Sequence, residues 1–274
     1  HASGSVMTGG RRRPGQPAAR QVMIYSLYMF FDARAALVKK ISARLAAVRA
    51  EMADAARRAG RRPEDVRLVA VTKTHPPAVV AAAVAAGVTA IGENYLQEAD
   101  EKFTALGWPD AGGGAPAARH FIGHLQANKA RKAARWFEYI ETVDSAALAA
   151  RLDRLAEEQG RRLDILLQIN ISGEDEKSGI SPHNVEGVLA TLAKLAHIQV
   201  RGLMTIGRFV PDPEAARAEF RALRELRDAL RAVAPPTVEL EELSMGMSHD
   251  FAVAIEEGAT IVRVGSRLFG PRHG

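Results

Sequence analysis

Lys73 closes the run Arg67-Leu-Val-Ala-Val-Thr-Lys73-Thr-His75-Pro76-Pro77, in which an apolar segment stops on an amine followed by a turn. A continuous Val/Leu/Ala stretch reads as a buried parallel strand, and α/β folds place their chemistry at the carboxyl ends of such strands. An amine held there among apolar neighbours has its charged form disfavoured and can attack a carbonyl as a nucleophile. The competing reading is a solvated lysine opening a loop. The rest of the chain has to decide between them.

The other end of the sequence offers a partner for that amine. Ser244-Met245-Gly246-Met247-Ser248 and Arg263-Val-Gly265-Ser266 each follow or finish an expected strand. Glycines let a backbone approach a ligand closely, and serine hydroxyls and loop amides donate to an anion. Barrels often bind phosphate with the loops after their last two strands. Ser248 reads equally well as an ordinary helix cap, and Arg263 as the ion-pair partner of Glu241 or Asp250. A strand-end lysine facing a phosphate cradle suggests a phosphorylated aldehyde held as a Schiff base. Pyridoxal 5′-phosphate (PLP) is one such molecule, and the phosphorylated sugar of a Schiff-base aldolase is another. For PLP, Arg263 would face the pyridine nitrogen, keep it unprotonated and weaken the electron sink.

Other chemistries find little support. The chain has no cysteine, which removes thiolate nucleophiles and disulfides and fits a cytoplasmic protein. Its eight histidines include no His-x-His or His-Glu-x-x-His spacing, so no metal site is expected. His75, His120 and His124 read as loop or packing residues. The net charge of +5 resides in Arg11-Arg12-Arg13 and scattered arginine doublets, and aromatics make up 5% of the chain. That is no basic face with interleaved aromatics, so nucleic acid is not an expected partner. No apolar run reaches the ~20 residues of a membrane span.

These residues must be positioned by a regular alternation of elements. After a helix from about Ala33 to Ala59, strands are expected at 67–72, 88–91, 120–122, 139–143, 163–171, 199–206, 239–244 and 260–264, with helices between them. Pro109 to Ala118 reads as a surface insertion. Eight strand–helix units within 274 residues fit a closed parallel barrel, typically ~250 residues. No Gly-x-Gly-x-x-Gly turn follows the first strand, which argues against an open dinucleotide fold. The expected fold is a single (β/α)8 TIM barrel over residues 32–274 with an extra N-terminal helix, preceded by a disordered leader or tag at 1–31.

At these same residues the sequence resembles the pyridoxal phosphate homeostasis protein family. The resemblance is carried by Val-Thr-Lys73-Thr, Gly92-Glu-Asn-Tyr-Leu-Gln-Glu98, His120-Phe-Ile-Gly-His-Leu-Gln-Ala-Asn-Lys129 and Asn170-Ile-Ser. Lys177-Ser-Gly-Ile180, Arg201-Gly-Leu-Met204, Ser244-Met-Gly-Met-Ser248-His-Asp250 and Val262-Arg-Val-Gly265-Ser-Arg-Leu-Phe-Gly270 continue it in order, so it spans about residues 34–270. It implies a barrel like the N-terminal domain of alanine racemase, with PLP on Lys73, phosphate contacts at Ser248, Gly265 and Ser266, and Arg263 beside the pyridine. Asn94, Met204, Ser244, Met245, Gly246 and Met247 would line the cofactor. Departures are the enlarged Asp110 to Ala118 loop, Ser266 where threonine is common, and Gly207-Arg208-Phe209 in place of an Ala/Pro-rich stretch.

The resemblance implies PLP storage and delivery, with apo PLP enzymes as recipients. A racemase needs acid–base groups on both faces of its substrate, and alanine racemase brings the second from a β-domain after the barrel. The sequence stops four residues after Gly270, so the expectation is a non-catalytic PLP carrier; a monomer is expected as well. The alternative is a PLP enzyme, a slow racemase or lyase, with Lys73 as base.

Overall fold

The computed structural model describes residues 17–174, 178–208, 210–235 and 237–271, with side chains from residue 32 onward. Lys177 and Phe209, both part of motifs named above, lie outside the described residues, as do residues 1–16 of the expected leader.

Eight parallel strands close into a barrel in chain order. They are β1 (Arg67–Val71), β2 (Ala90–Glu93), β3 (Ala118–Phe121), β4 (Tyr139–Val143), β5 (Leu163–Gln168), β6 (Ile198–Met204), β7 (Glu242–Met247) and β8 (Ile261–Val264). Closure comes from β1 pairing with β8, with Leu68 opposite Val262 and Val69 opposite Arg263. The surrounding helices are α1 (Pro17–Arg58), α2 (Pro77–Ala85), α3 (Leu96–Ala105), α4 (Ala130–Trp136), α5 (Ala146–Glu158), α6 (Val185–Leu192), α7 (Arg217–Arg231), α8 (Phe251–Glu256) and α9 (Ser266–Phe269). Helix α1 thus begins before the expected Ala33. Among the described residues no helix is long and apolar enough to cross a membrane.

Each strand is covered on both sides, which is why the strand sequences read as continuous apolar runs. Outward residues such as Ile91, Phe121, Ile140 and Leu243 join Phe103, Phe137 and Phe251 in the layer between strands and helices. Val69, Ala90, Leu166, Met204 and Ile261 form a smaller apolar group of their own. Local chemistry sets the helix starts. Pro77 opens α2, and the Ser145 hydroxyl accepts from the Leu148 amide at 3.3 Å to cap α5.

Strand β7 begins and ends three residues later than the sequence suggests. The Met-Gly-Met segment reads as loop because glycine punctuates strands. Gly246 instead takes φ 90° within the strand, where the register of β7 on β8 shifts between Ser244 and Met247. Such an irregularity lets a ladder continue past the glycine. A β-carbon at Gly246 would lie 2.5 Å from the Ala254 side chain, so α8 packs directly on this backbone. Strand β2 is likewise displaced by two residues, which makes Glu93 its last residue rather than part of the following loop.

Candidate functional site

The turn after β1 presents Lys73. The His75 amide donates to the Thr72 carbonyl at 3.1 Å, closing a tight reversal around Lys73 and Thr74. Thr74 adopts φ 66°, the one non-glycine residue with positive φ among those described. For an L-residue this left-handed conformation costs about 1–2 kcal/mol. The Thr74 amide donates to Glu98 Oε2 at 2.8 Å, and a hydrogen bond to a charged group contributes roughly 1.5–3 kcal/mol. The contact is therefore large enough to hold the conformation.

Beneath the turn lies a buried ion cluster. Lys102, on α3, donates to the Thr72 carbonyl at 2.7 Å and to the two Glu93 carboxylate oxygens at 2.9 and 3.0 Å. It also reaches Glu98 Oε2 at 3.2 Å, while the Thr72 hydroxyl donates to Glu93 Oε1 at 2.7 Å. Burial pushes the Glu93 carboxyl above its ordinary range, against the pull of the Lys102 ammonium and the Thr72 hydroxyl.

Lys73 opens into a cavity of about 280 Å³ at the carboxyl end of the barrel. Asn94, Met247, Ser248, Arg263, Gly265 and Ser266 line it with Lys73, so seven of the eleven residues expected at the site converge. The Gly265 amide donates to the Ser248 hydroxyl at 3.0 Å, tying the β7 and β8 loops together. The expected alternative of Ser248 as a helix cap is not realised, because Asp250 is the N-cap residue of α8. Its Oδ1 accepts from the Met247 amide at 2.6 Å. The Asn94 side-chain oxygen is buried in this lining without a hydrogen-bond partner among the described residues.

The remaining four expected residues stand apart from the cavity wall. Met204 is fully buried in the small apolar group, and Met245 packs into the layer under the helices. Gly246 faces α8, as described above. Ser244 is buried, and its hydroxyl lies 2.6 Å from Glu141 Oε2 and 2.5 Å from Arg263 Nη1. With strand β7 displaced, Met245 and Gly246 fall inside that strand with Ser244 rather than in the loop after it, while Met204 ends β6.

Ser244 belongs to a polar group that fixes Arg263. The guanidinium also donates to the Thr205 carbonyl at 2.8 Å, and Glu141 Oε2 lies 4.0 Å from it. Neither Glu241 nor Asp250 is the direct partner the sequence suggests. His120 Nδ1 sits 2.6 Å from Glu141 Oε1, a carboxylate that accepts from it, and Nε2 has no partner among the described residues. Burial raises Glu141, but the His120 contact, the Arg263 charge and the Ser244 hydroxyl outweigh it and hold the carboxyl below its ordinary range. Burial lowers Arg263, opposed by Glu141 and Asp250; an arginine starts so far above neutrality that it remains a cation.

Sequence reasoning missed Glu141, Lys102 and the apolar walls Val71, Ile122, Ile206 and Val210. A signal for Glu141 did exist. An acid in the middle of Tyr139-Ile-Glu-Thr-Val143 is out of place in a core strand unless it is paired inside the barrel. His75, read from the sequence as a loop or packing residue, lies against Phe269 with ring centroids 4.9 Å apart. His124 stands at the rim, 3.4 Å from the Ser178 hydroxyl.

The residues present fit a phosphorylated pyridine aldehyde. They supply an amine, two serine hydroxyls beside a glycine, a fixed arginine, an unsatisfied buried amide oxygen and apolar walls. A β-carbon at Gly265 would sit 3.4 Å from Val71, another wall residue, and narrow the cleft between them.

Comparison with known proteins agrees with this chemistry. The family described as alanine racemase, N-terminal domain, matches residues 43–273. A pyridoxal phosphate homeostasis protein of Aquifex aeolicus is 40% identical over 229 residues, covering 84% of this chain and 97% of that protein. One from Escherichia coli K12 is 38% identical over 240 residues, covering 85% and 97%. The structure of PipY from Synechococcus elongatus with PLP bound superposes with a TM-score of 0.72 at 39% identity, covering 84% of this chain and 100% of that one. Alanine racemase from Corynebacterium glutamicum shares the fold, with a TM-score of 0.62 at 20% identity over 86% of this chain and 62% of the racemase.

Proposed function

The chain belongs to the pyridoxal phosphate homeostasis protein family, and from that premise we propose that it binds PLP at the barrel mouth as a Schiff base on Lys73. PLP supplies an aldehyde that an amine captures reversibly and a phosphate that anchors the ring. Ser248, Gly265 and Ser266 would hold the phosphate, Arg263 would meet the pyridine nitrogen, and Asn94 would offer its buried oxygen to the ring substituents. The observation that carries this reading is the single cavity in which Lys73 from the β1 end meets the Ser248–Gly265 pair from the β7 and β8 ends.

The protein acts in cytoplasmic PLP storage and delivery to apo-enzymes, without turnover of an amino acid. Supporting this, the ionisable groups in the cavity wall besides Lys73, among the described residues, are Arg263, His249 and Asp250. Arg263 is held by Ser244 and Thr205, His249 Nε2 lies 2.8 Å from the Pro211 carbonyl, and Asp250 accepts from the Met247 amide. Each is engaged by protein rather than poised as the second acid–base group a racemase needs.

Titration of the purified protein with PLP tests the first part. A visible imine band is expected, trapped on Lys73 by borohydride and lost in Lys73→Ala; no band in the unmodified protein would end the proposal. Incubating the PLP-loaded protein with L-amino acids in deuterated water tests the second. Transfer of PLP to an apo-enzyme without sustained α-proton exchange is expected, whereas multiple turnovers would make it an enzyme.

A further inference from the structure

We propose that Glu98, together with Lys102 and Glu93, is a positioning device for the Lys73 amine, clamping the residues on either side of it. The inference rests on the reading of Lys73 as the PLP-binding residue and extends it to side chains outside the cavity wall.

Three observations converge on it. Thr72, immediately before Lys73, is held at its hydroxyl by Glu93 and at its carbonyl by Lys102. Thr74, immediately after, is held at its amide by Glu98. Lys102 joins the two acids, so the anchors act as one unit spanning the end of β2 and helix α3 from its first turn to its last. The lysine that would carry the cofactor thus sits between two residues pinned by the same ammonium–carboxylate cluster.

The burial of the cluster is unequal, and this points to a role beyond packing. The Lys102 and Glu93 side chains are 6% and 0% exposed, whereas Glu98 is 33% exposed. A salt bridge needed only to seat α3 on the barrel is complete with Lys102 and Glu93. Glu98 adds the contact that holds Thr74 at positive φ, a conformation an L-residue keeps only when its surroundings over-determine it. Released from Glu98, Thr74 would relax toward negative φ, and the direction in which Lys73 leaves the turn would change with it.

Capture of an aldehyde needs the amine aimed, while seating of the phosphate and ring does not. Glu98→Ala removes the acceptor of the Thr74 amide; Glu98→Gln retains an oxygen at the same place. Imine formation with PLP is followed in stopped flow, and affinity for pyridoxamine 5′-phosphate, which has the phosphate and ring but no aldehyde, is measured in parallel. Glu98→Ala is expected to form the imine about tenfold more slowly with pyridoxamine 5′-phosphate affinity unchanged, and Glu98→Gln to stay within about twofold of the unmodified protein. An unmodified rate in Glu98→Ala, or a parallel loss of pyridoxamine 5′-phosphate affinity, overturns the inference while leaving PLP binding intact. Failure of the unmodified protein itself to form an imine would instead remove the reading beneath it.

Discussion

The Gly265 amide donates to the Ser248 hydroxyl across 3.0 Å, joining the loop that follows β7 to the one that follows β8. Because the hydroxyl accepts this bond, its own hydrogen is left to donate toward an anion in the cavity. One side chain therefore both braces the cradle and serves it.

Ser248→Ala should weaken PLP binding about tenfold, the worth of one hydrogen bond to a charged group. Pyridoxal, which lacks the phosphate, should bind both forms alike. Equal losses for the two ligands, measured by equilibrium titration, would place Ser248 away from the phosphate.

Gly123→Ala tests the Asn94 side of the cavity. A β-carbon there would stand 2.1 Å from the Asn94 carbonyl oxygen, a clash with backbone that no rotamer relieves. The loop after β2 must move, at a cost of about 1–3 kcal/mol by denaturant titration, and PLP affinity should fall with it. A variant as stable as the unmodified protein would show that the two loops are not in contact.

Glu141→Gln should leave the Arg263 charge buried beside an uncharged amide, destabilising the fold by roughly 3 kcal/mol at neutral pH. The sign of the pH dependence follows from the depressed carboxyl. The unfolded state takes up a proton near the ordinary value of 4.5 and the folded state only at lower pH. The stabilisation is then complete above 4.5 and lost as pH falls toward the folded value. The stability difference between unmodified protein and variant should shrink in that acid window, while a constant difference would mean that Glu141 binds its proton equally well folded and unfolded.

Lys73→Ala should abolish the imine band while the turn itself persists, since Lys102 and Glu98 still hold Thr72 and Thr74 on either side. A visible band of unchanged strength in the variant would place the imine on another amine.

Much of this was legible in the chain itself. Strand-end positions of a βα alternation must gather at one end of a barrel, so Lys73, Ser248, Gly265 and Ser266 could be assigned to a common mouth before any contact was known. The reach of β7 was not legible, because Gly246 is punctuation in one dimension and a continuation of the ladder in three. That displacement put Met245 and Gly246 inside the strand rather than in the expected lining loop.

The sequence by itself determined the eightfold alternation, the strand-end lysine and the glycine–serine cradle, since periodicity and turn chemistry are properties of neighbouring residues. Only the tertiary structure decided which charges meet. Glu141 reaches Arg263 across 122 positions of sequence, and the Glu98 carboxylate reaches Thr74 across 24. A linear reading names the partner of neither acid, even where, as at Glu141, the acid itself stands out in a core strand. Electrostatic partners are chosen by distance and by exclusion of water, and barrel closure sets both.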